Sequence, residues 1–129
     1  MTDRLEIVRR SYEAFNRQDF DAAVGHAHPE IEYQPVDGRE PIRGVSAYRQ
    51  WMEPDAFEAM AVTLVDVESC GERVLVRQLA KARGAGSGIE MEMILFTVFT
   101  FDGDDRVVRV QAFLPHQETE ARQAAGLVE

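Results

Sequence analysis

The apolar positions of this chain change period near its middle. Between residues 3 and 17, Leu5, Val8, Tyr12 and Phe15 recur at spacings of three and four, with Ile7, Ser11 and Ala14 beside them. That spacing predicts a helix with one broad apolar face, capped by Thr2 or Asp3. A break at Asn16 to Asp19 places an aspartate ahead of a second short helix over residues 20–26. His28-Pro29 stops that helix, because the residue before proline is pushed out of the helical region. Ile31 to Gln34 reads as a short strand that Pro35 ends, and the prolines and Gly38 that follow predict a loop. Val45, Tyr48, Trp51 and Met52 predict a third helix, with Pro54 at its end or at a kink.

From Ala61 onward the period is two. Strands are predicted over residues 61–69, 73–83, 89–101 and 106–114, joined at Cys70-Gly71, at the glycine-rich residues 84–88 and at Asp102-Gly103. Residues 116–125 are polar and alanine-rich and predict a C-terminal helix. Three helices followed by antiparallel strands is an α+β pattern. The expected architecture is a cone: a curved mixed or antiparallel sheet, packed with three N-terminal helices, in one domain over residues 1–129.

Alternation also sorts the sheet into faces. Pairing across residues 84–88 places Lys81 beside Glu92 and Arg83 beside Glu90, which makes the charged face the outer one. Its centre is apolar, through Ile94, Phe96 and Val98, and predicts a homodimer surface. The alternative is cover by the chain's own tail. The inner face then carries Gln78, Met93, Leu95, Thr97, Phe99, Ala112 and Leu114. Tyr12, Phe15, Tyr33, Tyr48, Trp51 and Met52 join them from the helices and the first strand. A methionine-rich, aromatic lining with few polar groups predicts a pocket for an apolar small molecule.

Charge and composition narrow the partners. A net charge of -9 repels nucleic-acid phosphate and anionic membrane. No apolar run reaches the roughly 18 residues of a membrane span, and the N-terminus lacks the order of a secretory signal. One cysteine, Cys70, excludes an internal disulfide framework, so a cytoplasmic location is expected. No cofactor is expected: no helix follows the glycine-rich residues 84–88, so they lack the helix N-terminus of a phosphate loop. His26 and His28 have no third ligand beside them, so no metal site is expected.

Tyr12-Glu-Ala-Phe-Asn-Arg-Gln-Asp19, His28-Pro-Glu-Ile-Glu-Tyr33, Ile42-Arg43-Gly44 and Phe101-Asp102-Gly103 occur in an order that resembles the SnoaL-like branch of the nuclear transport factor 2 superfamily. The resemblance spans nearly the whole chain. It implies the cone fold, and relatives that are ketosteroid isomerases, polyketide cyclases, epoxide hydrolases, dehydratases or binding modules. It does not imply ketosteroid isomerisation. Gln34 stands where the isomerase holds its basic aspartate, its oxyanion-hole tyrosine falls near Ser11, and its protonated acid falls near Thr97.

The candidate catalytic groups are Glu32, Gln34 and His116. Glu32 shares strand parity with Gln34, and a carboxylate buried in the cavity would serve as a general acid or base. His116 follows Pro115 near the expected pocket mouth. Two classes of function stay open. One is a cofactor-independent isomerase, cyclase or hydrolase acting on an apolar cyclic or polyketide-like substrate. The other is a non-catalytic homodimeric binding or assembly module.

Overall fold

Two short helices open the chain, each held at its start by an aspartate. The computed structural model describes residues 3–36, 38–53, 57–84 and 86–127, so the roles expected of Thr2 and Pro54 lie outside the described residues. Helix α1 (Arg4–Asn16) is capped by Asp3, whose carboxylate accepts from the Leu5 N–H at 2.9 Å. Helix α2 (Phe20–Ala23) is capped by Asp19, which accepts from the Ala22 N–H at 3.2 Å. Between them Gln18 turns the chain through a φ of 62°, in the left-handed region.

Helix α2 is shorter than its sequence pattern predicts, because strand β1 (Ala27–Gln34) already begins at Ala27. Pro29 therefore sits inside the strand. The pairing of β1 shifts register between Ala27 and Glu32, so the N–H that proline lacks falls in the interrupted part of the ladder.

Strand β2 (Ile42–Arg43) and helix α3 (Val45–Met52) follow, then β3 (Phe57–Cys70), β4 (Arg73–Gly84), β5 (Glu90–Phe101) and β6 (Val107–Phe113). The six strands form one open, curved sheet in the order β2-β1-β6-β5-β4-β3. Neighbours run antiparallel except β1 and β6, which are parallel, so the sheet is mixed. Ile7 and Val8 of α1 pack with Ile31, Tyr48, Val74, Val76, Phe99, Phe101 and Val110 to make the core on the concave side.

The charge pattern of β4 and β5 sets their register as expected. Lys81 faces Glu92 and Arg83 faces Glu90, with ion-pair distances of 3.7 and 2.7 Å. These pairs mark the convex face.

Helix α4 (Glu118–Ala124) lies on that face. Ala121 and Ala125 pack on Leu75, Phe96 and Val98, leaving Phe96 4% and Val98 0% exposed. An ion pair of 2.7 Å from Arg122 to Glu68 pins the helix to β3. The Cys70 thiol donates to the Gly126 carbonyl at 3.4 Å, a packing role. The bare apolar patch on which the homodimer expectation rested is therefore absent. The patch around Ile94, Phe96 and Val98 is covered by the chain's own C-terminal helix, with Ile94 half-buried at its margin. Among the described residues no helix is long and apolar enough to cross a membrane.

Candidate functional site

The concave side is not filled by the core. A cavity of about 520 Å³ remains between α1, α3 and the strands. Ser11, Tyr12 and Phe15 line it from α1. Tyr48, Gln50, Trp51, Met52 and Glu53 line it from α3 and its end. Tyr33, Met60, Val62, Gln78, Ala80, Leu95, Thr97, Phe99 and Val110 line it from the sheet. The helical period of α3 turns Tyr48, Trp51 and Met52 toward the sheet, and strand alternation brings Gln78 and Ala80 of β4 onto the same face as Leu95, Thr97 and Phe99 of β5.

Aromatic rings make most of the wall. Tyr33 lies 5.4 Å from Tyr48 and 5.9 Å from Trp51 between ring centres, and Tyr12 meets Phe99 edge-on at 5.9 Å. Trp51 is 39% exposed and stands at the mouth, where the Arg39 guanidinium lies 4.9 Å from its ring centre.

One polar cluster interrupts the wall. The side-chain oxygen of Gln78 accepts hydrogen bonds from the Tyr12 hydroxyl and, at 2.9 Å, from the Thr97 hydroxyl. Burial pushes the Tyr12 and Tyr48 phenols well above their ordinary range. The Thr97 hydrogen bond opposes the shift at Tyr12, and neighbouring tyrosines add to it at both. Both phenols therefore stay neutral, and Tyr12 serves as a donor to Gln78. Ser11 is already committed, donating to the Ala23 carbonyl at 2.6 Å.

The family model described as a SnoaL-like domain matches residues 8–110. The chain belongs to the SnoaL-like domain family. Solved structures similar to this SnoaL-like domain include the epoxide hydrolase/cyclase-like enzyme SalBIII, described in pyran ring formation in the polyether salinomycin. It has a TM-score of 0.78 and 19% identity over 86% of this chain and 89% of that one. An NTF2-like protein from Burkholderia pseudomallei has a TM-score of 0.77 and 20% identity over 92% and 95%. TerC, co-crystallised with polyporic acid, has a TM-score of 0.76 and 16% identity over 91% and 95%. At these identities the likeness concerns the fold. No curated protein matches the chain.

The residues expected to do chemistry stand elsewhere in this SnoaL-like domain. Ile31 and Tyr33 take the concave side of β1, so Glu32 takes the other. Its register partners are Arg43 on β2 and Arg109 on β6, and it pairs with them at 3.0 and 3.3 Å. Gln34 turns its amide to the Arg39 carbonyl at 3.0 Å and the Pro35 carbonyl at 3.4 Å. His116 is exposed in a short 3-10 helix, Pro115–Gln117. None of the three lines the cavity.

Three pocket expectations also move. Met93 is on the cavity face of β5 but beyond the helices, and 49% exposed. Ala112 pairs with Thr97 yet does not reach the lining, and Leu114 lies past the end of β6. Met60 and Val62 were not foreseen. They enter because they pair with Ala82 and Ala80, a signal that strand alternation carried. Among the described residues no cluster of histidine, cysteine, aspartate or glutamate could hold a metal ion.

Proposed function

We propose that this chain is a binding protein for an apolar ring compound, held in the cavity between α1, α3 and the sheet. The observation that carries the reading is the chemistry of the lining. Its walls are aromatic and aliphatic, its polar groups are amides, hydroxyls and the single carboxylate of Glu53, and no imidazole stands among them. Burying such a ligand contributes about 25 cal/mol for each Å² of apolar surface removed from water. The acidic sequence with a single thiol supports a cytoplasmic setting for that role.

Trp51 is the chain's one tryptophan, so its emission reports occupancy directly. Titration with a flat tricyclic hydrocarbon such as fluorene is expected to give a saturable change. Ala80→Phe, which fills the cavity, is expected to abolish it. Binding that survives Ala80→Phe, or no saturable change with any ring compound, sinks the reading.

Acid/base turnover of such a compound is a second reading, favoured by one observation. Glu53 places a carboxylate on the lining, tied at 2.6 Å to Arg49. Product formation that Glu53→Gln abolishes, with ligand affinity retained, would establish turnover over binding alone.

A further inference from the structure

We propose that the ring compound bears a saturated alkyl chain, and that this chain lies in an open trough running out of the cavity along β4. The inference rests on the ring-compound reading above and names a substituent that reading leaves open. Two rungs of the sheet build the trough. In the first, Ala80 lies between Val62 of β3 and Met93 of β5; in the second, Ala82 lies between Met60 and Met91. Strand alternation puts all six side chains on the concave face. The small alanines make the floor, and the larger side chains make two walls. Val62, Met60 and Ala80 already line the cavity, so the trough is continuous with it. Beyond the helices it is uncovered, and Met91 and Met93 are 46% and 49% exposed. Neighbouring apolar side chains left half in water, at the mouth of an apolar cavity, mark a surface that binds something.

Width and chemistry together select the occupant. The wall backbones are two strand spacings apart, about 10 Å, which leaves room for one alkyl chain between the side chains but not for a helix about 10–12 Å across. None of the six side chains carries a nitrogen or an oxygen. β4 is paired with a strand on each side, so its backbone groups are taken as well. A hydroxylated or charged chain would leave water and find no partner there, a penalty that a saturated chain does not meet. The unbranched, flexible thioethers of Met91 and Met93 let that wall close against chains of different length. The charges of the same strands, Lys81 with Glu92 and Arg83 with Glu90, stand on the opposite face.

The test titrates the full chain with fluorene and with 2-methyl-, 2-propyl- and 2-pentylfluorene, read by Trp51 emission and calorimetry. A fully buried methylene raises affinity about fourfold, and one with a side still open to water about twofold. From methyl to pentyl the wild type is therefore expected to gain about sixteenfold. Ala82→Phe raises the floor outside the cavity and is expected to level the series. Met91→Gln keeps the length of the side chain but makes the wall polar, and is expected to cut the gain per methylene. A further measurement needs no variant. The methyl resonance of Met91, at the outer end of the trough, is expected to shift with pentylfluorene and not with fluorene. Affinities that do not rise with chain length, or a Met91 methyl that stays in place with pentylfluorene, overturn the proposal and leave the ring-compound reading standing. A full gain that persists in Ala82→Phe puts the chain elsewhere and overturns it too. Failure of fluorene and its alkyl derivatives alike to bind overturns the proposal together with the reading beneath it.

Discussion

Asn16 pairs with Val62 as one peptide group pairs with another. The Asn16 side-chain N–H donates to the Val62 carbonyl at 2.8 Å, and the Val62 N–H donates to the Asn16 side-chain oxygen at 2.8 Å. Val62 belongs to β3, the outermost strand on its side of the sheet. An unpaired edge is a template for another strand, and here the last residue of α1 occupies it at one point. The same contact ties α1 to a cavity wall, since Val62 lines the pocket.

Asn16→Ala removes both bonds. At about 0.5–1.5 kcal/mol each, the expected loss of unfolding free energy is about 1–3 kcal/mol by urea denaturation. Hydrogen exchange at the Val62 amide is expected to accelerate more than exchange at the Val74 or Val98 amides. Unchanged exchange at Val62 would show that the pairing does not hold the edge.

Ring-compound affinity is expected to be indifferent to Glu32→Gln, Gln34→Ala and His116→Ala. None of these residues lines the cavity. Glu32→Gln is expected to lower stability by no more than about 1 kcal/mol, because Arg43 and Arg109 are largely solvated. Gln34→Asp is expected to gain no steroid isomerase activity. A changed dissociation constant for any of the four variants would place the ligand elsewhere.

Stability is expected to fall in alkali. Tyr12 and Tyr48 are buried as neutral phenols, with folded pKa values above the ordinary 10.0. Their contribution is complete below about pH 10. Above it the unfolded chain releases two protons that the folded chain retains, so unfolding gains as pH rises. Denaturation midpoints between pH 8 and 11 measure this. Tyr48→Phe is expected to flatten the decline, and an equally steep decline in that variant would refute the assignment.

Removing residues 118–129 strips the cover from Leu75, Phe96 and Val98. The shortened chain is expected to bind a hydrophobic dye and to gain apparent mass in light scattering, relative to the full chain. If it keeps the mass and dye response of the full chain, α4 is not what shields that face.

The sheet was legible because its signals are local. Lys81 and Arg83 meet Glu92 and Glu90 across a short connection, so alternation and charge together set the register. The site was less legible because its decisive contacts join distant segments. Gln78 could be assigned to the inner face by parity, but its two donors come from α1 and β5. Which parity of β1 faces the cavity was not legible, for a different reason. Ile31 and Tyr33 are the apolar set of that strand, and they follow the hydrophobic face, which carries Glu32 and Gln34 outward to arginines and loop carbonyls. Whether the Phe96 face was bare or covered depended on the docking of α4, which periodicity within β5 does not encode.

The parallel pairing of β1 with β6 orders events during synthesis. Tyr33 and Val110 are neighbours in the sheet, although β1 precedes every other strand and β6 follows them all. A ribosome-bound chain can close the β3–β4–β5 meander from contacts near in sequence, whereas Ile31 and Tyr33 wait for β6 to emerge. Such distant pairing is slow to form, because the loop must close before any contact rewards it. Until then one cavity wall is missing and the aromatic lining is bare. A ring compound that binds the finished chamber would therefore meet its site only after the last strand has left the ribosome.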